Sequence, residues 1–158
     1  FTYPFMKRIT HWPQLFLGIT FNWGLIMSWA AINNSISPEI IILYISAIFW
    51  TLGYDTIYGA QDMSEDEIIG LKSTSIKFKN NIKFFVFISY FLFTFILFYL
   101  FRNDIGFNSF SIFLSFFTGS LIYQILLFNK DDPTICLKTF KSNNLSGLFL
   151  FLAILVLV

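Results

Sequence analysis

Charge is scarce in this chain: 12% of its 158 residues are Asp, Glu, Lys or Arg, against about 25% in an ordinary soluble domain. A single cysteine, Cys136, excludes an intrachain disulfide and leaves the redox compartment open. His11 is the sole histidine, so no His/Cys cluster exists to favour zinc. No charged n-region with a cleavage site is visible, nor an internal repeat, a low-complexity linker or a second domain. The net charge of +1 points to no particular partner.

What the chain has instead is apolar bulk. Hydrophobic residues make up 56% of it, 23 of them Phe, and the mean hydropathy is +0.71. A soluble protein of this size could not hide so much apolar surface, so lipid is the expected solvent. Five apolar stretches stand out, at about Gln14 to Ile32, Ile40 to Tyr58, Phe84 to Phe101, Phe110 to Phe128 and Leu145 to Val158. The first four approach the roughly 20 residues needed to cross a bilayer core; the fifth is short. The apolar runs are too long for typical strands. The expected fold is therefore all-α, a polytopic transmembrane bundle of about five helices forming one membrane domain over residues 1–158. Phe1 to Phe5 reads like the end of an apolar segment, and the final LVLV stops within one, so part of a longer membrane protein is expected. Pro13 and Pro38 fall near helix starts, where a missing N–H is tolerated. Gly18, Gly24, Gly119 and Ser120 could admit close helix approach.

Nine of the ten basic residues sort to three connections. Lys7 and Arg8 precede the first stretch. Lys72, Lys77, Lys79 and Lys83 lie between the second and third, and Lys130, Lys138 and Lys141 between the fourth and fifth. If each stretch crosses once, these connections share one membrane side, which the positive-inside rule makes cytoplasmic. The opposite connections carry only Arg102. His11 and Trp12 beside Pro13 suit the membrane interface, Cys136 reads as a small apolar filler, and Asn143 and Asn144 read as caps of the last helix.

Residues 54–74, YDTIYGAQDMSEDEIIGLKST, combine acidic side chains and a lysine at the end of the second stretch. Asp55, Tyr58, Asp62 and Asp66 recur at helical spacing as a polar stripe. Asp62 and Asp66 are i,i+4 neighbours, and like charges so placed repel unless a cation lies between them. All-oxygen ligation suits Mg²⁺ carried on a diphosphate. Lys72 and Lys77 could neutralise phosphate oxygens, Gly70 would let the chain turn, and Glu65 and Glu67 belong to other faces. A solvated loop would account for Glu65, Asp66 and Glu67 equally well. It accounts poorly for Asp55, which lies in the apolar flank of the helix.

This segment resembles the second aspartate-rich motif of 4-hydroxybenzoate polyprenyltransferases in the UbiA superfamily of membrane prenyltransferases. KRITHWPQLFLGITFNWG resembles the start of the family's fifth transmembrane helix, and DDPTICLKTFKSNNLSGLFLF the stretch leading into its last. The resemblance implies the second half of a nine-helix bundle around a cavity that opens laterally to lipid. Two aspartate-rich motifs would face each other there, each holding Mg²⁺ on the prenyl diphosphate. By position Asp62 and Asp66 match the metal-binding aspartates, while Asp55, Tyr58 and Lys72 match the flanking residues, with Lys72 on the diphosphate. Asn22 falls where it could line the cavity.

The implied partners are polyprenyl diphosphate, 4-hydroxybenzoate, the lipid bilayer and an N-terminal half bearing the first motif, of NDxxDxxxD type, which these 158 residues lack. The implied reaction is electrophilic aromatic substitution: diphosphate leaves, and a ring carbon beside the phenol hydroxyl attacks the allylic cation. The DTIY and IGLKST wording favours 4-hydroxybenzoate and hence ubiquinone biosynthesis, in a bacterial inner membrane, with the acidic motif on the cytoplasmic side. Alone, the fragment is expected to be inactive. A non-catalytic remnant, one half of a split enzyme, and part of an ion-coupled transporter remain open readings.

Overall fold

The computed structural model describes residues 3–157, so Phe1, Thr2 and Val158 of the two terminal apolar runs lie outside the described residues. The described residues form helices α1 (Tyr3–Ile9), α2 (Pro13–Phe21), α3 (Trp23–Asn33), α4 (Pro38–Gln61), α5 (Met63–Ile69), α6 (Thr74–Lys77), α7 (Ile82–Leu100), α8 (Ser109–Leu127) and α9 (Pro133–Leu155), with no strand among them. Among the described residues four segments are long and apolar enough to cross a membrane: Pro13–Asn33, Pro38–Gln61, Ile82–Leu100 and Ser109–Leu127. The chain is thus a polytopic helical membrane protein.

Local chemistry sets the helix ends. Pro13, Pro38 and Pro133 each occupy the first turn of a helix, where proline loses no bond it would otherwise make. Asn108 accepts the Ser111 N–H at 2.9 Å and starts α8. Asp132 starts α9 by accepting the N–H groups of Thr134 and Ile135. The Thr134 hydroxyl, with those N–H groups, holds the Asp132 carboxyl below the usual carboxylate range. Gly70 closes α5 at φ 79°, a left-handed conformation that glycine adopts without a Cβ penalty.

Three expectations need correction. The first apolar stretch is two helices joined at Asn22, where the Gly18 carbonyl accepts both the Asn22 side-chain amide (2.8 Å) and its backbone N–H (3.2 Å), a side-chain bond that hydropathy does not register. The last helix begins at Pro133, well before Leu145, and runs 23 residues. Its first half is polar, so hydropathy overlooks it. Asn143 and Asn144 therefore lie inside α9 and cap nothing; Asn143 Oδ1 accepts the Trp50 indole N–H at 3.0 Å. Of the small residues, Gly18 does sit against Ile48 of α4, whereas an added Cβ at Gly24 or Gly119 would meet nothing.

The central helix α4 leans on α2, α7 and α9, and α8 packs along α9. The core comes from α4, α7, α8 and α9, with Ile57, Val86, Phe93, Leu114, Phe117, Leu121 and buried Cys136 among its members. Trp50 of α4 stacks on Phe93 of α7, with centroids 5.2 Å apart.

A polar chain crosses this core. The Tyr90 hydroxyl donates to Gln124 Oε1 (2.6 Å), and the Gln124 amide donates to Ser146 Oγ (2.8 Å). Gln124 and Ser146 are fully buried, so each lost partner leaves a desolvated polar atom. Gln124→Leu is expected to lower stability by about 1–2 kcal/mol, the upper range for hydrogen bonds between membrane helices. Thermal unfolding in detergent checks this, and an unchanged midpoint would contradict it.

Candidate functional site

Helix α4 ends at Gln61 and α5 starts at Met63. The acidic stripe therefore crosses a junction instead of following one continuous helix, and Asp62 is the joint. The Asp66 N–H still donates to the Asp62 carbonyl at 2.8 Å, which preserves the i,i+4 relation across the break. Asp66 is 6% exposed, and its Oδ2 takes a 2.9 Å bond from the Lys7 ammonium of α1. Asp62 is half-buried and accepts from the Gln61 amide at 3.2 Å. Glu65 and Glu67 face outward; Glu67 pairs with Lys79.

Lys72 does not meet these carboxylates. Its ammonium donates to the Ile9 carbonyl (3.3 Å), and its own N–H donates to the Lys7 carbonyl at 2.6 Å. Lys72 thus ties the loop after α5 to α1, while Lys7 supplies the cation at Asp66. Sequence reading assigned Lys7 to topology alone. Nothing local could show its role, since Lys7 and Asp66 are 59 residues apart.

Ser73, which caps α6, and the first helical residues Thr74 and Ser75 are buried and fastened to α2 and α4. The Thr74 N–H donates to Gln14 Oε1 (3.0 Å), the Thr56 and Thr74 hydroxyls share a 2.6 Å bond, and the Ser75 hydroxyl donates to the Thr56 carbonyl (2.8 Å). Gly59 makes the approach possible: a Cβ there would sit 2.8 Å from Ser75 Oγ and 3.1 Å from Gln14 Nε2. These residues were missed from sequence. The available signal was a run of hydroxyl residues directly after Lys72, beside a membrane helix that itself carries Thr56.

An aromatic groove lies between α4 and α9. Tyr58, 40% exposed, lies against Phe140 of α9 at 4.8 Å, and Tyr54 approaches the same ring at 6.1 Å. Asp55 is half-buried on this flank. Beyond it Asn22, Trp50, Thr51, Tyr54, Phe140 and Asn143 line a cavity of about 420 Å³. Asn22 donates to Thr51 Oγ1 at 2.8 Å, so the residue at the break in the first span also reaches this wall.

Among the described residues no three His, Cys, Asp or Glu groups converge to hold a metal. Asp62 and Asp66 offer two carboxylates, which is what Mg²⁺ commonly takes from protein when water and phosphate oxygens complete its shell. The donor set fits an ion that arrives with a diphosphate.

An acidic helix junction and an aromatic-lined cavity share one bundle of membrane-crossing helices, which defines a polytopic membrane protein. Residues 1–155 match the UbiA prenyltransferase family, and the chain belongs to it. It is 42% identical over 160 residues to 4-hydroxybenzoate geranyltransferase 2 of Lithospermum erythrorhizon, covering 99% of this chain and 51% of that protein. It is 40% identical over 161 residues to the mitochondrial 4-hydroxybenzoate polyprenyltransferase of Bos taurus, covering 98% and 42%. The chain spans about half the length of the curated relatives it matches. The apo structure of a UbiA homolog from Aeropyrum pernix K1 superposes with a TM-score of 0.77 at 19% identity, over 98% of this chain and 58% of that one. That likeness supports the fold.

Proposed function

We propose that this chain forms one half of the site of a Mg²⁺-dependent prenyltransferase that joins a polyprenyl group to a ring carbon of 4-hydroxybenzoate, a step of ubiquinone biosynthesis. The observation that carries the reading is the pair Asp62 and Asp66, with Lys7 on Asp66, at the end of a membrane helix, α4, that also lines an aromatic cavity. The names of the relatives support the choice of acceptor.

In this reading Asp62 and Asp66 hold Mg²⁺, which when bound supplies the charge that stabilises a departing diphosphate. Lys7 and Lys72 meet remaining phosphate oxygens from the α1 side, and Asp55 and Tyr58 flank the reacting end. The groove lined by Tyr54, Phe140 and Asn22 orients the apolar chain and the ring, and excludes water from the cation. The allylic C–O bond breaks with its electron pair on diphosphate. The ring carbon beside the phenol hydroxyl forms the new C–C bond, and its proton passes to the released diphosphate.

The complementary donors are proposed to come from a segment bearing the first aspartate-rich motif, either in the same polypeptide or encoded separately. The isolated 158 residues are then inactive. The proposed membrane is the bacterial inner membrane, with the acidic junction on the cytoplasmic side. The mitochondrial relatives make the mitochondrial inner membrane its alternative.

The test is prenyl transfer to labelled 4-hydroxybenzoate in vesicles holding this chain together with that segment, before and after chelation. Product that disappears on chelation and returns with Mg²⁺ supports the reading. Equal product without divalent ion, or none from the assembled halves, overturns it.

A further inference from the structure

A second cavity lies away from the acidic junction. About 550 Å³ opens between the start of α7 and the end of α8, lined by Asn80, Asn81, Lys83, Phe84, Leu126 and Lys130, among others. The Lys130 ammonium rests on the Lys79 carbonyl (3.1 Å) and the Lys83 ammonium on the Leu126 carbonyl (3.4 Å). Among the described residues neither has a carboxylate at ion-pair distance; Lys79 is paired with Glu67 and Lys7 with Asp66. Each ammonium therefore keeps donors free. The one acidic residue on the wall, Asp131, is exposed.

The apolar surface continues directly from this basic mouth. Phe84, Phe87, Phe91 and Phe95 stack in sequence along the outer face of α7, each neighbour at 6.1–6.3 Å, and all four rings are exposed. Beside them a narrow cleft of about 170 Å³ between α7 and α8 is lined by Phe87, Phe91, Thr94, Thr118, Leu121, Ile122 and Ile125. The two helices touch sparsely, since α7 leans on α4 and α8 on α9.

We propose that this α7/α8 cleft is a binding site for one anionic phospholipid. The phosphate sits between Lys83 and Lys130 with the Asn80 and Asn81 amides beside it, and an acyl chain lies in the cleft against the phenylalanine ladder. The argument is charge complementarity joined to an apolar channel that begins one helical turn further along α7. Two lysines without acidic partners lie where helix ends meet headgroups, the usual composition of basic lipid pockets between membrane helices. A free phosphate would satisfy the lysines but leave the channel unfilled. The site is independent of the α4 groove and of prenyl transfer.

The chain is reconstituted in vesicles of equal parts phosphatidylglycerol and phosphatidylcholine, extracted in detergent, and its retained lipid measured by native mass spectrometry. One retained phosphatidylglycerol per chain is expected. Lys83→Gln/Lys130→Gln is expected to lower its retention about 10-fold or more. Ile122→Trp, which fills the channel without changing charge, is expected to lower it several-fold. The control Lys138→Gln/Lys141→Gln removes as much charge from α9 and keeps the lipid. Circular dichroism on each variant confirms that its helices persist. Equal retention of phosphatidylcholine, displacement by inorganic phosphate, or equal loss in the control would each overturn the proposal.

Discussion

Asp66→Asn is expected to slow prenyl transfer by at least about 100-fold in an enzyme that contains this chain, while membrane insertion and helix content persist. The substitution keeps shape and removes one charge, so it isolates electrostatics from packing. Loss of a preorganised group that stabilises developing charge typically costs about 10²–10³ in rate. The Asp66 carboxylate is well placed for such a role, since it is nearly buried and already engaged by a cation. The structural loss is small by comparison, because the Lys7 side chain is 37% exposed and such pairs contribute at most about 1 kcal/mol. Asp62→Asn should behave alike. Single-turnover transfer in vesicles, with insertion checked by protease protection, separates the two effects. Undiminished turnover in both variants would leave the metal role untenable.

The second large effect concerns assembly. Gly53→Ala is expected to destabilise the bundle by about 2–3 kcal/mol, toward the upper range for overpacking. A Cβ at Gly53 would fall 2.3 Å from Tyr90 Cε1 and 2.5 Å from Cδ1. The Tyr90 ring cannot swing clear, because it is 2% exposed and its hydroxyl is held by Gln124. The gain in helix propensity from glycine to alanine, about 1 kcal/mol, does not offset the clash. Gly53→Ala/Tyr90→Leu should recover part of the loss by vacating the space. Fluorescence-detected gel filtration after a heat ramp reads the order; a single mutant as robust as the parent would refute the contact.

The membrane spans were legible because hydropathy acts over whole turns and a bilayer fixes their length. The break at Asn22 was not, since it coincides with one side chain bonding back to the Gly18 carbonyl. Helix α9 was half-seen: its apolar end stood out, and its polar start did not, although Asp132 followed by Pro133 is a sound helix-start signal. The i,i+4 relation of Asp62 and Asp66 could be read from spacing. Lys7 could not, because a charge that sets topology and one that seats a carboxylate look identical in sequence. The cleft between α7 and α8 arises from how two helices diverge, a property no local pattern encodes.

The bonds that join Gln14, Thr56, Thr74 and Ser75 have a thermodynamic consequence. They immobilise the segment after Lys72 during folding, so its loss of freedom is already charged to the native state. A ligand docking there meets a rigid rim, and little of its affinity is consumed in restraining floppy backbone.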